Sequence, residues 1–115
     1  MTYEQNLTQM GLTNNEALVY DALLTLGKAG VKELLRQVPV KRANLYAVLY
    51  ALKNKGLVVE IEEKGKKKFK PESPNKLAEM VEHEEHKLKQ ASAALDATLP
   101  LLVSQYNLAS GKPSV

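Results

Sequence analysis

The 115-residue sequence contains no cysteine. That absence excludes disulfides, thiolate catalysis and zinc sites of the finger type. No apolar run approaches the roughly 18–20 residues of a membrane span, so no membrane partner is expected. The N-terminus MTYEQNLTQMGLT lacks the basic start and apolar stretch of a signal peptide, and a cytoplasmic location follows. There is no glycine-rich phosphate loop, no pair of acids set in an apolar stretch, and the hydroxyls fall in expected caps and turns. No catalytic constellation forms, so neither enzymatic activity nor a cofactor is expected. Acid is missing from one place in particular. Between Lys64 and Lys70 there is no Asp or Glu, yet five of the chain's sixteen Lys and Arg residues lie there.

What is present is an ordinary soluble composition, 44% hydrophobic and 25% charged, long enough for one domain with a single modest core. The net charge of +3 says little alone; its distribution says more. Against the basic stretch 64–70 stand Glu72, Glu79, Glu82, Glu84 and Glu85. Such polarity suits one face to a polyanion and another to something else.

The chain reads as four helices, a hairpin and a long fifth helix. Residues 3–10 form a short helix that offers Leu7, Met10 and Leu12 to the core. TNNE then makes a capping box from Thr13 and Glu16. It opens a helix to Leu26 that is apolar nearly all round and therefore central. Gly27 ends it. In 30–37, Val31, Leu34, Leu35 and Val38 recur at helical spacing. A break at Val38-Pro39-Val40 leads into a helix from about Lys41 to Lys55, with Leu45, Val48, Leu49 and Leu52 as its apolar stripe; the closely joined pair is a helix-turn-helix candidate. Gly56 suits the left-handed position past the helix end. LVVEIEE (57–63) is β-branched enough for a strand, and KKFK returns after a Lys64-Gly65-Lys66 turn, with Phe69 inward and Lys68 and Lys70 outward. Ser73 as cap and Pro74 at the first helical position start the last helix, which Pro100 must kink or end. The expected fold class is mostly α with a small β-hairpin: a winged helix-turn-helix with a long C-terminal helix.

The helix after Pro39 presents an outward side of small and polar residues. Ala43 and Ala47, one turn apart, let a backbone sink into a major groove and touch thymine methyls. Lys41 and Arg42 lie at the end where helix-turn-helix readers contact bases and phosphates, with Asn44, Tyr46 and Tyr50 beside them. Water is the usual neighbour of such a face, but the small-residue pair argues for DNA. Lys64, Lys66, Lys67, Lys68 and Lys70 are the candidate phosphate contacts. A merely solvating turn usually mixes signs, and this one does not.

In the last helix Val81, Leu88, Leu95 and Leu102 recur every seven residues, with Leu77, Glu84, Ala91 and Thr98 at the alternate seam positions, an imperfect heptad. Leu77, Val81, Leu88, Ala91, Leu95 and Leu102 are the candidate dimer contacts. The expected organisation is a DNA-binding domain over 1–72, a dimerisation helix over 73–108 and a flexible tail over 109–115. His83 and His86 in HEEH share a helix face but lack a third ligand and the HExxH spacing, so a solvated face is favoured over a metal site.

With these residues placed, the chain resembles the TrmB-type winged-helix transcriptional regulators of archaea and bacteria. The matching words are GLTNNEALVYDALLTLG, AGVKELLRQVPVKRANLYAVLYALKNKGLV and KGKKKFKPESP, which cover about residues 5–80 in order and without gaps. The resemblance implies a DNA-binding domain whose recognition helix begins near Lys41, and a following helix that packs against a second subunit. Two departures stand out. Position 41 is lysine where the family often has proline. The family's full-length regulators also carry a C-terminal sugar-sensing domain, whereas one helix follows the wing here. A small-molecule effector is therefore not supported, and the chain is either a minimal regulator or part of a longer protein. The expected function is sequence-specific binding of double-stranded DNA by a homodimer. The alternative is a winged-helix module for protein interaction or non-specific DNA binding within a transcription or replication complex.

Overall fold

The computed structural model describes residues 3–111. Helices α1 (Tyr3–Gln9), α2 (Asn14–Leu26), α3 (Val31–Gln37) and α4 (Arg42–Asn54) precede an antiparallel hairpin of β1 (Val58–Glu63) and β2 (Lys66–Pro71). Helix α5 spans Lys76–Ser110. The chain divides into a first unit ending at Val81 and a second beginning at Glu82.

The local signals explain most boundaries. Thr13 Oγ1 accepts from the Glu16 amide at 3.1 Å and Glu16 Oε1 accepts from the Thr13 amide at 2.9 Å, the expected reciprocal cap of α2. Past α4, the Gly56 amide donates to the Lys53 carbonyl (3.0 Å) and the Leu57 amide to the Leu52 carbonyl (3.0 Å). That paired arrangement requires a left-handed residue, and Gly56 has φ +81°. Leu52 and Leu57, the apolar pair that accompanies it, are both fully buried.

The hairpin turn is tighter than the expected three residues. Glu63 pairs directly with Lys66, so the loop is Lys64-Gly65 alone. Both have positive φ, +53° and +77°, as a type I′ turn demands. Lys66 thereby belongs to the strand. Phe69 turns inward as expected and is fully buried, while Lys68 and Lys70 take the other face. The wing is fastened to the helices through its own backbone. Ala29, in the α2–α3 turn, exchanges hydrogen bonds with Phe69 at 2.9 and 2.8 Å.

The core gathers Leu7, Leu12, Ala17, Val19, Tyr20, Leu23, Leu34, Leu45, Leu49, Leu52, Leu57, Val58 and Phe69. Its one buried acid, Glu16, meets Lys55 Nζ at 2.5 Å. Three expectations on burial fail. Met10, 37% exposed, does not fill the core, and neither do Leu24 (41%) and Leu26 (37%) of the supposedly buried α2. The apolar period cannot say which turn of a short helix its neighbours cover.

Ser73 Oγ accepts from the Asn75 amide at 3.3 Å, and three i→i+3 bonds carry the backbone from Ser73 into α5. The α-helical part thus begins at Lys76 instead of Pro74. Pro100 does not end α5, which continues to Ser110. Residues 109 and 110 of the expected tail are therefore helical, whereas 112–115 lie outside the described residues. Leu77, expected at a dimer seam, packs with Met80 against the core of its own unit. In the second unit Leu88, Leu95, Leu99, Leu102 and Tyr106 are all exposed. Their three-, four- and seven-residue spacing continues the stripe past Pro100.

Candidate nucleic-acid interface

Because α4 buries Leu45, Leu49 and Leu52, its opposite side faces out. Lys41, Arg42, Ala43, Asn44, Tyr46, Ala47 and Tyr50 are all exposed. Lys41 is the N-cap with φ −70° and contributes no side-chain cap. That φ lies within proline's range, so lysine at 41 leaves the entry to the helix unaltered. A groove runs between the start of α3, the first turns of α4 and the wing. Arg42 and Tyr46 line it, together with Lys66, Lys67 and Lys68. Ala43, Asn44, Ala47, Lys41, Lys64 and Lys70 are exposed but outside its walls.

The groove also holds two cations that reading the chain alone passed over, Lys32 and Arg36 of α3. They sit one helical turn apart on the side opposite Leu34, a spacing visible in KELLR. Glu33 is the acid in the wall, and its Oε1 accepts from the Gly30 amide at 3.3 Å. Among the described residues, the side chains of Lys32, Arg36, Lys41, Arg42, Lys64, Lys66 and Lys70 make no hydrogen bond or ion pair.

Lys67 and Lys68 differ: 64–70 itself holds no acid, yet both lysines are paired. The acids come from the facing strand. Lys67 Nζ lies 3.4 Å from Glu60 Oε1 and donates to Tyr50 Oη at 3.3 Å. Lys53 Nζ approaches the other Glu60 oxygen at 3.7 Å. Lys68 Nζ lies 3.5 Å from Glu63 Oε1, and Lys28 pairs with Glu63 Oε2. The Tyr50 hydrogen bond, with Glu60 beside it, holds the Lys67 ammonium above lysine's ordinary pKa. The Lys28 hydrogen bond, helped by Lys68, holds the Glu63 carboxyl below its ordinary range. Tyr50 packs edge-on against Phe69, 6.3 Å between centroids, with Lys53 and Lys67 about its ring at 5.9 and 6.0 Å. It fastens the wing to α4.

His83 and His86 are exposed on α5, and among the described residues no group of three His, Cys, Asp or Glu could hold a metal. No helix among those residues is long and apolar enough to cross a membrane.

Residues 7–75 match the family model described as "Sugar-specific transcriptional regulator TrmB". The chain belongs to the TrmB family. That family is described as one of transcriptional regulators, and the fold around the groove is a winged helix. Among solved structures it is similar to TrmBL2, described as an archaeal chromatin protein with a novel mode of DNA binding, at TM-score 0.79 and 23% identity. The match covers 98% of this chain and 46% of TrmBL2, so the chain spans less than half of that TrmB relative's length. MarR from E. coli superposes at TM-score 0.56 and 18% identity, covering 94% of this chain and 81% of MarR. NadR, solved in complex with 4-hydroxyphenylacetate, superposes at 0.57 and 20%, covering 94% and 79%. At such identities these likenesses establish the winged-helix fold. Among curated proteins, none matches the chain.

Proposed function

We propose that this TrmB-family chain binds preferred sequences in double-stranded DNA as a homodimer and regulates transcription by occupying promoter sites. The observation that carries this reading is the groove in which Arg42 and Tyr46 of α4 meet the cations of α3 and the wing. Arg42, Asn44, Ala43 and Ala47 take the base edges, with Lys41 and Tyr46 beside them. Lys64, Lys66 and Lys70 take phosphates, as do Lys32 and Arg36 across the groove. The helix macrodipole supports the assignment. A cation at a helix N-terminus is unfavourable for the helix itself, so Lys41 and Arg42 are not explained by stability.

The dimer rests on the exposed stripe Leu88, Leu95, Leu99, Leu102 and Tyr106, with Val81 and Ala91 along the same helix. Apolar surface left in water costs about 25 cal/mol per Å², and a second α5 removes it. Two-fold symmetry then sets two recognition helices about 34 Å apart, in successive major grooves.

Selection of bound fragments from a random duplex library tests the reading. An enriched palindrome is expected. Flat enrichment would instead assign the chain to the alternative, a protein-interaction or non-specific module.

A further inference from the structure

Two acids of β1 stand behind two lysines of the groove. Glu60 touches Lys67 and Lys53, and Glu63 touches Lys68 and Lys28. A hairpin whose only task was to attract phosphate would gain from uncharged residues at these positions. Nothing in the β1–β2 register requires carboxylates there: Glu60 lies opposite Phe69 and Glu63 opposite Lys66. The partly exposed Glu63 carboxylate occupies the place beside Lys68 that a phosphate oxygen would take, whereas Glu60 lies deeper, between Lys67 and Lys53, with Oε1 shut off from solvent.

We infer that Glu60 and Glu63 act as internal counter-ions that limit how many phosphates the wing can neutralise, leaving that role to Lys64, Lys66 and Lys70. The inference rests on the proposed contact between wing and DNA. A lysine already held by a carboxylate releases few condensed counterions when a phosphate arrives, so it adds little to the salt dependence of binding. Freed of its acid, the same lysine becomes a full phosphate contact. The two glutamates therefore hold down affinity for any duplex, which shortens the time spent on the wrong DNA. They do so without weakening what α4 reads.

The test is anisotropy titration of a random-sequence duplex over a range of salt concentrations. Glu63→Gln is compared with Glu62→Gln, which changes net charge equally on the same strand. Glu62 is exposed and, among the described residues, forms no ion pair. Glu63→Gln is expected to steepen the slope of log affinity against log salt by about 0.9, and the Glu60→Gln/Glu63→Gln pair by up to about 2. Random-duplex affinity at low salt should rise roughly tenfold in the double variant. Glu62→Gln should leave the slope near that of the unmodified chain. Equal slopes for Glu63→Gln and Glu62→Gln would overturn the inference while leaving DNA binding intact. If Lys66→Ala also leaves the slope unchanged, the wing is not on the DNA and the functional reading falls with it. Melting temperatures verify folding, and should Glu60→Gln unfold, Glu63→Gln decides alone.

Discussion

Arg42 and Glu16 show two fates of a charge in this fold. Arg42 is exposed in the first turn of α4, where the helix gives it no electrostatic reward. Arg42→Ala should cost about 1–3 kcal/mol at a preferred duplex and far less at random DNA. Competition titrations compare the two, and equal losses would make Arg42 a backbone contact. Glu16 is buried to 5% exposure and fixed by its cap and by Lys55, which also reaches the Gly11 carbonyl at 3.3 Å. Lys55→Met strands that carboxylate. A fully buried pair broken in this way costs about 3–5 kcal/mol, but Lys55 is about one-third exposed, so about 1–2 kcal/mol is expected in a urea melt. At this scale the sequence was readable where partners are near in the chain. The Thr13–Glu16 cap spans three residues and its motif is explicit. The Glu16–Lys55 pair spans 39, and no local pattern announces it.

Among elements, the wing shows what a one-dimensional reading misses. The run 64–70 has no acid in sequence, yet β1 carries Glu60, Glu62 and Glu63 directly across from it. Charge counted along the strand overstates the charge the hairpin offers. The consequence is specific. Replacing Lys64, Lys66 and Lys70 by alanine should flatten the salt slope by roughly 2–3 units, whereas Lys67→Ala with Lys68→Ala should change it by less than about 1. Equal effects from the two sets would mean that the ion pairs dissolve when DNA binds. Tyr50 belongs with the wing in the same way. Its outward position on α4 is legible from the helical period, but its partners Phe69 and Lys67 are brought to it only by the hairpin's register.

For the molecule as a whole, the proposed function turns on how many chains stand on the DNA. The heptad pattern identified Leu88, Leu95 and Leu102 as an apolar line, and all three are exposed. It also took in Leu77, which packs against its own core, because periodicity cannot separate the turn of a helix that meets its own domain from the turns beyond it. Leu99 and Tyr106 also belong to the stripe, but they fall outside the two seam positions of the heptad, so that pattern leaves them out. Proline removes one helical hydrogen bond, which a helix of 35 residues tolerates. Leu88→Glu with Leu95→Glu should give a folded monomer that binds DNA poorly, its near-native melting seen by circular dichroism and its mass by sedimentation. An unmodified chain that sediments as a monomer at tens of micromolar would sink the dimer.

The backbone exchange between Ala29 and Phe69 has a kinetic meaning as well. The wing cannot lift away from the helices without breaking both of those bonds and wetting the Phe69 ring. Segments joined by such links open together instead of one at a time. The amides of Ala29 and Phe69 should therefore exchange with deuterium at one common slow rate, close to that of Leu49 in the core. A protease that nicks the exposed Lys64-Gly65 turn should leave both halves attached. On the proposed reading the hairpin meets DNA as a rigid jaw whose gape was set when the chain folded, so binding does not have to wait for it to close.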